Sequence, residues 1–315
     1  MARVRLDGPL RQAAVRGIVL GRPDRPGEDP LTPEATAAEV ARLSFYAAAL
    51  GAPGTEPYGA GAAPDGEALD ASLARDIMAL CGQADPAAVA ARLHPMRVRA
   101  ASRVAARDRA PVLRRAAAPG DVAVRAFRQP YARFFAIEEY DLAWRRFDGA
   151  LSDTHTRAVF VSGDAVTVLP YDPLRDRVLL VEQFRAGPFG RGDPQPWQLE
   201  PIAGRVDPGE TPEAAARREA LEEAGLSLGA LHHVAGYYPS PGAKTEYLDS
   251  FVGLAELPDG RAGVFGLEAE AEDIRGHLVA FDALVALVAS GEVQNGPLLV
   301  TALWLQRERD RLRGG

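Results

Sequence analysis

The 315-residue chain is poor in several residues whose absence narrows what it can be. It has one cysteine, Cys81, so no intramolecular disulfide can form, and it suits a reducing cytoplasm. Lys244 is the only lysine, so nearly all positive charge is arginine, which reflects genome composition along with the abundant Ala, Gly and Pro. No run approaches the ~20 apolar residues of a membrane-spanning helix. The most apolar late stretch, Leu278 to Ala289, is short and carries Asp282. The opening MARVRLDGPL lacks the apolar centre of a secretion signal. A formal charge of −7 argues against a nucleic-acid surface but not against a small anionic substrate, because a bound cation and a few arginines can reverse the local field. The five histidines show no metal-ligand spacing, His232-His233 included.

What remains is a 47% hydrophobic, globular composition organised around residues 204–226, GRVDPGETPEAAARREALEEAGL. Thr211 is placed to cap a helix that begins at Pro212, where a missing N–H costs nothing. Strong helix formers follow, and Gly225 supplies a left-handed stop. Glu219, Glu222 and Glu223 stand at i, i+3 and i+4, so their carboxylates share one face. Such like charges repel, and a hard divalent cation relieves the repulsion.

This stretch resembles the Nudix box, G-x5-E-x7-R-E-U-x-E-E-x-G-U with U aliphatic, and every fixed position is present, Ala220 serving as a small U. Seven fixed residues at roughly 6% usage each would fall in register by chance about once in a million chains of this length. The resemblance implies hydrolysis of a nucleoside diphosphate linked to another group. It also implies Mg²⁺, with Mn²⁺ as the alternative, held by Glu219, Glu223 and the carbonyl of Ala203. Glu222 assists, Arg218 orients a glutamate through a salt bridge, and Glu210 is structural.

Three further features resemble the ADP-ribose branch of that family. Pro241 lies fifteen residues after the box, in SPGAKTE. LLVEQFRAG and WQLEPIAG are similar to segments in which an arginine, here Arg185, meets substrate and the chain forms a swapped homodimer. EAEAEDI, residues 268–274, resembles a mobile acidic loop, which would make Glu270 the general base and Glu272 a further metal ligand. Arg157, Gly242 and Glu246 complete the substrate contacts implied, and Phe134 or Trp197 could stack the adenine. Two departures stand out. The branch often has Arg-Glu where this chain has Arg157-Ala158, and Ala243 replaces a commoner glycine.

The expected fold is an α/β Nudix sandwich, α/β/α around a mixed sheet, over residues 122–315. A smaller, mostly helical region, residues 1–115, precedes it, with Thr32 expected to cap a helix running to Leu50 and Ala116–Asp121 as linker. RGIVLGR, ARLSFYAAALG and the stretch from Ala74 to Ala106 resemble the N-terminal region of Nudix proteins associated with tellurite resistance. That region looks like a γ-glutamylcyclotransferase-type domain, but this chain lacks the Y-G-T-L-R-like segment that shapes its site. The expected function is metal-dependent hydrolysis of ADP-ribose to AMP and ribose 5-phosphate by a cytoplasmic homodimer with no nucleic-acid or membrane partner. The alternatives are a broader nucleoside-diphosphate-sugar pyrophosphatase and a sensor that binds ADP-ribose without turnover.

Overall fold

The computed structural model describes residues 2–4, 6–51, 66–106, 111–260, 262–265 and 273–314. The chain divides into two compact units: residues 1–163 with 207–209, and residues 164–206 with 210–315.

The first unit opens with β1 (Ala2–Arg3), which pairs antiparallel with β2 (Glu34–Ala35). Helices α1 (Ala13–Leu20), α2 (Ala37–Ala49), α3 (Gly66–Ala79), α4 (Pro86–Ala90) and α5 (Leu93–Ala105) bury Val15, Val19, Tyr46, Ile77 and Met96 in one apolar core. Cys81 packs against that core as a free thiol. Helix α2 starts later than the Thr32 cap predicts. Thr36 accepts from the Glu39 amide while Glu39 accepts from the Thr36 amide, a reciprocal capping box. The Thr32 hydroxyl instead donates to Asp29 at 2.7 Å, closing a turn. Two arginines of α5 are tied into the unit. Arg99 is buried, and Arg103 pairs with Asp76 of α3 and with Glu138.

Strand β3 (Val122–Ala132) pairs with β4 (Ala136–Trp144), and β4 with β5 (His155–Val161), as an antiparallel sheet. The turn between β4 and β5 falls at Asp148-Gly149, with Gly149 in the left-handed region at φ 88°.

The second unit is the α/β/α sandwich expected. Its strands are β6 (Ala165–Asp172), β7 (Arg177–Phe184), β8 (Trp197–Glu200), β9 (Ile202–Arg205), β10 (Leu231–Tyr237), β11 (Leu248–Leu254), β12 (Val264–Phe265) and β13 (Ile274–Ala280). They run in the order β10-β11-β6-β7-β13-β12, with β9 on β6 and β8 on β7; β11 and β6 are parallel, and the other pairs antiparallel. Helix α6 (Ala186–Arg191) follows β7.

Alternation sorts the strand residues to two faces. Val166, Val168, Leu179 and Val181 pack with α7 (Pro212–Ala224), whose Ala215, Ala216, Ala220 and Ala224 are buried. Leu169, Tyr171, Val178 and Leu180 pack on the other side with α8 (Phe281–Ser290) and α9 (Gly296–Arg313).

Asp176, in the turn between β6 and β7, fastens that second layer. It adopts a left-handed φ of 52°. Its carboxylate accepts from the Tyr171 hydroxyl at 2.7 Å, from Arg309 Nε at 3.0 Å and from Arg313. Burial alone would raise its pKa, but the bonds donated by Arg309, Tyr171 and Arg313 outweigh burial and hold it at about 2. A depressed carboxyl pKa contributes stability above the unfolded value, ~3.9, and loses it as pH falls towards the folded value. Asp176→Asn tolerates the same backbone conformation and keeps one acceptor. It should cost about 1–3 kcal/mol at pH 7. The urea-midpoint difference from wild type should shrink as pH drops from 4 towards 2; a constant difference would contradict this account.

Candidate active site

Helix α7 is bounded as its sequence demands. Thr211 Oγ1 accepts from the Ala214 amide at 3.2 Å, Pro212 opens the helix, and Gly225 closes it at φ 59°. Its alanine face lets the helix lie close on the sheet, which leaves the glutamates at the margin of that contact.

Arg218 gathers them. Its Nε and Nη2 donate to the two oxygens of Glu210 at 3.1 and 3.0 Å, a bidentate fork. Its Nη1 donates to Glu219 at 2.6 Å and Glu222 at 3.0 Å, and Nη2 also reaches the Arg205 carbonyl at 2.9 Å. These carboxylates, Glu210 first, push the Arg218 pKa further above its already high value. The charge of this arginine is therefore fixed across the working pH range.

Glu223 turns the other way and is 2% exposed. Its Oε2 accepts from the Ala203 amide at 3.3 Å, so the Ala203 backbone that the sequence singles out lies against this carboxylate. Glu219 presses on the next residue: a Cβ added to Gly204 would sit 1.8 Å from Glu219 Oε1. Two carboxylates four residues apart thus converge on one backbone corner, residues 203–204. Among the described residues no three His, Cys, Asp or Glu side chains form a ready cation cage, and Glu219 and Glu222 face Arg218 instead. The donor chemistry, carboxylate oxygens held against a strand that has no side chain at residue 204, fits a hard divalent cation.

Arg185 lies at the end of β7 and grips Glu200 with Nε at 3.0 Å and Nη2 at 2.7 Å. Glu200 is 5% exposed and was given no role by sequence reasoning, although WQLEPIAG contains it. It fixes the guanidinium of Arg185. Trp197 is exposed on β8, edge-on to Phe184 at 5.7 Å. Pro241 and Gly242 form the turn closed by the Ala243 and Lys244 amides on the Ser240 carbonyl, at 3.1 and 2.9 Å. Glu246 pairs with Lys244 at 3.0 Å.

Arg157 belongs to the first unit, where its guanidinium lies 5.3 Å from the Trp144 ring centre, and Phe134 packs edge-on to Phe135 in the same unit. His232 packs on Trp304, and His233 pairs with Asp249 at 3.1 Å. Glu270 and Glu272 lie outside the described residues.

The NUDIX domain profile matches residues 161–299. An ADP-ribose pyrophosphatase of Escherichia coli (strain K12) is 36% identical over 193 residues, 61% of this chain and 91% of that protein. The chain belongs to the NUDIX family. An ADP-ribose pyrophosphatase of Haemophilus influenzae is 35% identical over 188 residues, 59% of this chain and 86% of that protein. A GDP-mannose pyrophosphatase of Enterobacter sp. (strain 638) is 33% identical over 152 residues, 48% of this chain and 78% of that protein. Within the family this Nudix chain therefore groups with the ADP-ribose pyrophosphatases.

Gly204→Ala tests the corner directly. The new methyl must drive the Glu219 carboxylate off the strand and away from Arg218. We expect a loss of about 1–3 kcal/mol by urea denaturation, the range for overpacking a tight site. The m-value should not change; a neutral substitution would show that Glu219 is not held there.

Proposed function

We propose that the protein hydrolyses the pyrophosphate of ADP-ribose, giving AMP and ribose 5-phosphate with consumption of one water. The observation that carries this reading is the complete Nudix box on a chain that aligns with nearly the whole of an ADP-ribose pyrophosphatase. The pyrophosphatase domain is assigned to residues 122–315 and a helical region to 1–115 on the resemblance, although β3–β5 of that span pack in the compact unit that holds the helices.

Glu219, Glu223 and the Ala203 carbonyl would hold Mg²⁺, or Mn²⁺, with Glu222 beside them. When bound, such an ion supplies Lewis-acid polarisation of the pyrophosphate and neutralises charge developing on it. Arg218 positions Glu219 and Glu222 and keeps their repulsion from unwinding the helix. Arg185, held by Glu200 through Nε and Nη2, is assigned to the substrate phosphates, which a guanidinium recognises through planar N–H groups. The turn at Pro241-Gly242 and the Glu246 carboxylate are assigned to the sugar, and Arg157 to substrate as well. Glu270 is assigned as general base and Glu272 as a further metal ligand, on the resemblance alone. Among the described residues no helix is long and apolar enough to cross a membrane. A cytoplasmic homodimer completes the reading.

A broader nucleoside-diphosphate-sugar pyrophosphatase is favoured by one observation, the 33% identity to a GDP-mannose pyrophosphatase. Purified protein with Mg²⁺ should be offered ADP-ribose, GDP-mannose and ADP-glucose, with products separated by chromatography. We expect ADP-ribose to lead by tenfold or more in kcat/KM, about 1.4 kcal/mol of discrimination. Glu219→Gln and Glu223→Gln should each lower kcat by about a hundredfold or more. A lead for GDP-mannose would select the broader reading. No turnover at all, with ADP-ribose still raising the melting temperature, would make the protein a sensor.

A further inference from the structure

Gln183 is a buried amide without an evident purpose. It lies near the end of β7 and is 7% exposed, and its Nε2 has no hydrogen-bond partner among the described residues. A buried donor left unsatisfied costs about 1–3 kcal/mol, so a fold under no other constraint would carry an apolar side chain here.

Its direction follows from the strand. Leu179 and Val181 point to the α7 face, where they pack with Ala216 and Ala220, and alternation sends Gln183 and then Arg185 the same way. Pairing with β8 agrees. Val181 stands opposite Glu200 and Gln183 opposite Gln198, so Glu200 shares that face, and the Arg185–Glu200 fork confirms it. The unpartnered N–H group therefore sits beside the fixed guanidinium, on the side of the sheet that carries the box helix.

We propose that Gln183 is a substrate-binding residue whose side-chain N–H donates to a phosphate oxygen of the bound nucleoside diphosphate, next to Arg185. A donor-only group selects an acceptor, and phosphate is the acceptor that the neighbouring guanidinium also favours. The amide remains unsatisfied in the free protein because its partner arrives with the ligand. This assignment rests on the pyrophosphatase reading.

The substitution Gln183→Met keeps length and removes the donor. Gln183→Glu keeps shape and sets a negative charge against the phosphate. For Gln183→Met we expect KM for ADP-ribose to rise roughly ten- to a hundredfold, the range of a hydrogen bond to a charged group, with kcat changed less than about threefold. Gln183→Glu should raise KM further. The free protein should tell the same story in the opposite direction: the melting temperature of Gln183→Met should equal or exceed that of wild type, because an unmet polar group has gone. ADP-ribose added in EDTA should raise the melting temperature of wild type and raise that of Gln183→Met much less. A lowered melting temperature with unchanged KM would overturn the proposal and make Gln183 a structural residue satisfied by water. If wild type shows no turnover of ADP-ribose, the pyrophosphatase reading fails. The assignment of Gln183 is then still decided by the EDTA melts.

Discussion

One guanidinium keeps the acidic helix of this protein in order. Glu219, Glu222 and Glu223 crowd one face of α7, and Glu210 comes in from the preceding loop. Without a counter-charge, carboxylates at i, i+3 and i+4 repel and favour unwinding. Arg218 answers three of the four with five donors in a fixed plane, a geometry that lysine could not supply. The fourth, Glu223, is buried against the amide of Ala203. The helix therefore holds its charges ready without depending on a bound ion for its shape.

That arrangement requires small residues beneath it. The buried alanines of α7 let the helix approach the sheet, and Gly204 leaves room for the Glu219 carboxylate to reach the strand. A larger residue at any of these positions would lift the helix or displace the acid, and either would separate the carboxylates from the backbone corner at 203–204. The opposite face of the sheet is built for permanence, with a continuous apolar layer under α8 and α9 and the Asp176 clasp at its rim. Both faces of the sheet are closely packed, and the polar chemistry is confined to the margin of the α7 side.

The first unit solves a different problem. Its helices share an apolar core, yet α3, α5 and β4 meet through charges. Arg103 bridges Asp76 and Glu138, while Arg99 is buried close by. Glu138 is buried and Asp76 nearly so, although Arg103 is partly exposed, so the pairs are costly to break because the orphaned carboxylate stays in low dielectric. They make the match between the helices and that strand specific.

Much of the second unit was legible in the sequence. Thr211, Pro212 and Gly225 act within a few residues of themselves, so the limits of α7 follow from local chemistry, whereas β6 and β7 are buried on both faces and only packing sorts their side chains. The start of α2 was misplaced by four residues, because Thr32 and Thr36 look alike until Glu39 is seen to close its box on Thr36. The sequence by itself determined the family, the box helix and the identity of its acids, since these depend on fixed short spacings. Only the tertiary structure decided that Glu200 orients Arg185, that Gly204 makes room for Glu219, and that Gln183 faces the α7 side with an unmet donor. Each of those relations joins residues brought together by strand pairing or helix packing, and spacing along the chain carries no record of such distances.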